Sequence, residues 1–128
     1  MIYRNGENYN MSSLVSQLNK NHGERPFKVN AKDFDYINLK TLYIKDGENT
    51  SYKVLGVYIN EKGKFGAEPL AIIDGFKVNL PKHLLKDVQM ILDNEDMIQA
   101  INEGHLGFQI EPYENARGHF YSVRWVEL

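Results

Sequence analysis

The stretch Phe76–Gly104, FKVNLPKHLLKDVQMILDNEDMIQAINEG, divides the chain into two β-rich halves with a helical insert between them. It opens as the end of a strand and enters a helix through Asn79-Leu80-Pro81, because proline is tolerated in a first helical turn. Leu84, Leu85, Val88, Ile91 and Leu92 then recur at helical spacing and predict one buried stripe. Asp93-Asn94 breaks that helix. Asn94 is a good N-cap for a second one, with Glu95 and Asp96 favourable at its positive end. Met97, Ile98 and Ile101 continue the inward face, and Gly104 is the expected stop.

Downstream, Leu106, Phe108 and Ile110 alternate with Gly107, Gln109 and Glu111, and Tyr121, Val123 and Trp125 alternate with Ser122 and Arg124. This period of two predicts a hairpin of strands Leu106–Tyr113 and His119–Glu127. Upstream, the same periodicity predicts a strand over Leu39–Lys45, a turn at Asp46–Asn49 and a strand over Ser51–Asn60. A third strand follows over Pro69–Ile73. Asp74-Gly75 is a tight-turn signal that folds Phe76–Val78 back onto it. Nearer the N-terminus, Met1–Arg4 suits an edge strand, and Met11, Leu14, Val15 and Leu18 suit a short helix ended by Gly23. A strand is also expected at Phe27–Val29.

The expected fold is α+β: an antiparallel, β-rich single domain over residues 1–128. Three strands, a helical insert, a two-stranded hairpin and a short N-terminal helix make the element order OB-like. An open antiparallel sheet with helices on one face fits the same order. A chain of 128 residues buries roughly two-thirds of the surface its unfolded form exposes, enough for a core without staples. With no cysteine, disulfides, Cys-zinc sites and thiol nucleophiles are excluded. No apolar run approaches the ~20 residues that span a bilayer. A cytoplasmic protein with no membrane partner is expected.

Fifteen basic residues against 17 acidic ones leave a net charge of −2. Duplex-DNA binders usually carry a clearly basic balance, so that class is disfavoured. There is no phosphate loop, no Gly-x-Ser-x-Gly elbow and no zincin helix, and the acidic residues fall at turns and caps. No catalytic residue, metal or cofactor is expected, and the protein is read as a non-enzyme. His22, His83, His105 and His119 lack ligand spacing. The hairpin register sets His119 opposite Pro112 or Tyr113, and His105 near Val126. Lys82 and His83, in the turn after Pro81, are weighed as an anion site against simple solvent exposure, which is favoured.

If Leu55, Val57 and Ile59 point inward, Tyr52 and Tyr58 point outward. Lys62, Lys64 and Phe65 occupy the adjoining loop, Arg117 the hairpin turn, and Arg124 the hairpin's outer side. Aromatics for stacking, flanked by cations for phosphates, are the composition of a single-strand nucleic-acid face. The competing expectation is that the N-terminal helix covers both tyrosines.

Through YINEKGKFG (58–66), VNLPKHLL (78–85), AINEGHLGFQI (100–110) and YSVRWVEL (121–128), the chain over residues 53–127, but not its N-terminal helix, resembles small accessory proteins of Gram-positive phages, plasmids and integrative elements. The resemblance implies service in replication or transfer, or the disarming of a host defence by binding one of its parts. Two functions are therefore expected. One is a nucleic-acid-binding accessory that prefers single strands. The other is an inhibitor that binds a host protein, as an anti-CRISPR blocks a nuclease. Pairing of edge strands between copies would give a homodimer.

Overall fold

The structure is a computed structural model and describes residues 26–64 and 66–128. The expected N-terminal edge strand and helix lie outside those residues. Among the described residues the fold is α+β, with two sheets and three α-helices: α1 (Leu39–Asp46), α2 (Leu85–Leu92) and α3 (Glu95–Asn102). The strands are β1 (Asp35–Ile37), β2 (Ser51–Lys53), β3 (Gly56–Asn60), β4 (Glu68–Ile73), β5 (Phe76–Asn79), β6 (Leu106–Asn115) and β7 (Gly118–Glu127).

One sheet has the order β1-β5-β4-β3 and the other β2-β6-β7. All pairs are antiparallel except β1 with β5. The strands therefore divide into two sheets where one five-stranded barrel was an expected arrangement.

Residues 39–45, expected as a strand, lie instead within α1. Asn38 caps this helix, its carboxamide oxygen accepting from the Thr41 N–H at 2.8 Å and the Thr41 hydroxyl at 2.7 Å. Gly47 closes it at φ 83°, donating to the Tyr43 carbonyl. A left-handed residue just past the last turn is a common helix stop. Leu39 and Leu42 are buried while Ile44 faces solvent, as one helical stripe requires. The expected strand at Phe27–Val29 is a bent segment instead.

Residues 51–60, expected as one strand, form two, because the run changes partner midway. The Val54 N–H donates to the Leu106 carbonyl at 2.9 Å, toward β6, and the Leu55 N–H donates to the Ile72 carbonyl at 2.7 Å, toward β4. Successive amides of an extended chain point to opposite edges, so this short segment joins the two sheets. Val54 and Val57, of opposite parity, are both fully buried. At Gly107 in β6 an added Cβ would come 2.7 Å from the Tyr52 carbonyl, so glycine permits the close β2–β6 approach.

The helical insert follows the sequence reading. Pro81 leads into one 3-10 turn (Lys82–Leu84) and then α2. Leu84, Val88 and Ile91 are buried, as are Ile98 and Ile101 of α3. Asn94 caps α3 by accepting from the N–H groups of Asp96 and Met97 at 2.9 and 3.2 Å. These side chains join Leu42, Val57, Val78, Phe108 and Val123 in one core. Full burial of each large aliphatic contributes about 1.5–3 kcal/mol. No helix among the described residues is long and apolar enough to cross a membrane.

Candidate nucleic-acid interface

Tyr52 and Tyr58 are not free aromatic platforms. Tyr52 stands on the core face of β2 against Phe108, ring centroids 5.5 Å apart. Its hydroxyl donates to the Asp46 carboxylate at 2.6 Å. Burial, that hydrogen bond and the Asp46 charge all push its phenol above the ordinary tyrosine range. The Tyr58 hydroxyl donates to the Val29 carbonyl, and Phe27 meets its ring edge-on at 5.7 Å. Both tyrosines are half-buried. The expectation of outward aromatics there is corrected, because β2 and β3 belong to different sheets and a single outer face never forms.

The other expected site residues separate. Lys62 and Lys64 are exposed on the β3–β4 connection of the four-stranded sheet, and Phe65 lies outside the described residues. Arg117 and Arg124 are exposed on the β6–β7 hairpin of the other sheet. Arg117 occupies its tip, where its N–H donates to the Asn115 side chain at 2.8 Å.

That hairpin is longer than expected, with Asn115 paired to Gly118. Its base is buried through Phe108, Ile110 and Val123, whereas residues 111–117 are all exposed. The distal half is therefore an arm extending beyond the core. Directly opposite residues of an antiparallel pair share a face. Gln109 with Arg124, Glu111 with Ser122, and Tyr113 with Phe120 thus form the outer face. The Tyr113 and Phe120 rings stack with centroids 5.6 Å apart and planes at 27°. They remain 40% and 37% exposed, which places an aromatic pair in solvent.

Polar groups continue this face toward the base of the arm. Arg124 donates from Nε to Glu111 at 3.0 Å and from Nη2 to Gln109 Oε1 at 2.8 Å. Gln109 Nε2 in turn donates to the Ser51 hydroxyl on β2 at 2.9 Å. Exposed Lys53 stands on the same face of β2, two residues beyond Ser51. Pro112, Tyr113, Glu114, His119, Phe120 and Tyr121 line an open depression on the arm. Tyr113 and Phe120 are the exposed aromatics that the sequence pattern alone does not single out. The signal was present: Tyr113 has the parity of Gln109 and Glu111, and Phe120 that of Ser122 and Arg124.

His22 lies outside the described residues, and the other three histidines stay apart. His119 pairs with Glu114, one residue from the expected register, at 3.1 Å, while His105 lies at the opposite end of the hairpin beside Glu103. His83 hydrogen-bonds Ser122 at 3.0 Å. Among the described residues no group of three His, Cys, Asp or Glu side chains is placed to hold a metal. Comparison with known proteins returns no match to a family model, a curated protein or a solved structure.

Proposed function

We propose that this protein binds single-stranded nucleic acid on the outer face of β2, β6 and β7, without catalysing a reaction. The observation that carries this reading is the solvent-facing Tyr113–Phe120 pair on the same face as Arg124, with Arg117 at the tip. Every base has a π-face, so stacking on exposed aromatics is sequence-tolerant and contributes about 1–3 kcal/mol per base. Arg124, further along the same face, and Arg117 at the tip suit phosphates, and the Gln109 and Ser51 side chains offer hydrogen bonds to splayed bases. The resemblance to mobile-element accessory proteins fits a cytoplasmic role in replication or transfer of such an element. Lys62 and Lys64, on the other sheet, are not part of this face.

The test is fluorescence anisotropy of labelled single-stranded DNA and RNA at low and moderate salt. Binding that weakens as salt rises, and that is weaker in Tyr113→Ala, supports the proposal. Absence of binding at low salt overturns it.

A second reading is a protein-binding inhibitor of a host defence, such as an anti-CRISPR that blocks a nuclease. The net charge of −2 favours it, since phosphate attraction is weak for a chain of that balance. The exposed aromatic arm would then insert into a protein groove. A stable complex with a host nuclease, formed without nucleic acid, distinguishes this reading from the first.

A further inference from the structure

We infer that Glu111 is an internal stand-in for phosphate that holds Arg124 in the free protein and limits the affinity of the outer face. This rests on reading that face as a nucleic-acid platform. The side-on edge of the Arg124 guanidinium is filled by the chain itself: Nε faces the Glu111 carboxylate at 3.0 Å, and Nη2 faces Gln109 Oε1 at 2.8 Å. The same edge is suited to two parallel bonds with a phosphate. The bond from Gln109 Nε2 to Ser51, at 2.9 Å, orients the Gln109 carboxamide with its oxygen toward the arginine.

Arg124 and Glu111 side chains are 59% and 53% exposed, and exposed ion pairs hold weakly, so an incoming phosphate can replace the carboxylate. Glu111 lies on β6 between Gln109 and Tyr113 on one face, so a strand stacked on the aromatic pair carries its backbone past this carboxylate. In the free protein Glu111 occupies the phosphate position. In the complex it must be displaced from the guanidinium, and its charge then stands near the phosphates.

The test compares wild type, Glu111→Gln, Arg124→Gln and the double variant by anisotropy with labelled oligothymidylate across a salt series. All the substituted side chains are exposed, and melting curves verify folding. Glu111→Gln is expected to tighten binding roughly threefold to tenfold. It is also expected to steepen the slope of log affinity against log salt by about 0.7, the increment for one additional phosphate contact on a single strand. In the Arg124→Gln background the gain should disappear. Unchanged affinity and slope in Glu111→Gln, with wild type binding, overturn this inference alone. An equal gain without Arg124 also overturns it, since simple charge repulsion then suffices. If neither wild type nor Glu111→Gln binds, the platform reading fails and the inference falls with it.

Discussion

The indole N–H of Trp125 donates to the Asp87 carboxylate at 3.0 Å, fastening the last strand to helix α2. Trp125 also meets Phe108 edge-on, with centroids 6.4 Å apart, so the contact anchors the base of the hairpin from which the arm projects. A part-buried indole without its acceptor loses a charge-assisted bond. Asp87→Ala should therefore cost about 1.5–3 kcal/mol in urea unfolding, and Asp87→Asn, which retains a carbonyl acceptor, should cost less. Trp125 is the single tryptophan of the chain, so its emission reports the change directly. Equal midpoints for Asp87→Ala and wild type would show that packing alone holds this junction.

Tyr113→Ala and Phe120→Ala should separate stability from binding. Both rings are exposed on the arm, away from the main core, so each substitution should lower stability by no more than about 1 kcal/mol. The proposed stacking predicts a larger loss in affinity for single strands, about 1–3 kcal/mol per aromatic. Thermal melts and anisotropy on the same samples make the comparison. A large fall in melting temperature would instead assign the pair to the fold.

Tyr58 should behave in the opposite way. Its hydroxyl holds the Val29 carbonyl, so Tyr58→Phe should cost about 1 kcal/mol. Removal of the ring from Phe27 and the neighbouring core in Tyr58→Ala should cost more, about 2–4 kcal/mol. Oligonucleotide affinity measured on folded Tyr58→Phe should equal that of wild type.

Tyr52 gives the fold a response to alkali. Its folded-state pKa is raised by burial, by the hydrogen bond to Asp46 and by the charge of that carboxylate. The folded state therefore holds the phenolic proton more tightly than the unfolded chain, whose tyrosines titrate near pH ~10. The stabilisation is fully present below that pH and is lost as pH rises toward the folded value. Tyr52→Phe has no such proton to lose. Its melting temperature should fall less than that of wild type between about pH 9 and about pH 11. Parallel curves for the two proteins would show that Tyr52 ionises as freely in the fold as outside it.

The C-terminal half was legible because its signals are local. The Asn94 cap, the Gly104 stop, the Asp74-Gly75 turn and the alternation through Phe108 and Trp125 all specify nearby backbone. Residues 39–46 were ambiguous for a physical reason. Leu39, Thr41 and Tyr43 satisfy a period of two, while Leu39, Leu42 and Tyr43 satisfy a helical stripe, and a short apolar run does not choose between them. The flanking Asn38 and Gly47 resolve it, as cap and stop. The candidate site was harder to read. Whether Tyr58 faces water depends on Val29, 29 residues earlier in the chain, and no local pattern encodes that pairing. Arg117 and Arg124 could be placed on the hairpin from the sequence because its alternation is local. Tyr113 and Phe120 lie at the ends of the expected strands, where few flanking residues mark which face a side chain takes.

The segment that passes from one sheet to the other has a consequence for cooperativity. Val54 and Leu55 donate in opposite directions, to Leu106 and Ile72, so neither sheet can open at this point without straining the other. Sub-global opening, in which one sheet exchanges its amide protons while the other stays closed, is thereby suppressed. In native-state hydrogen exchange the Val54 and Leu55 amides should be among the slowest, with the cores of both sheets exchanging at a common free energy. The exposed residues of the arm should exchange independently and faster, leaving its aromatic tip free to adjust while the body beneath it remains closed.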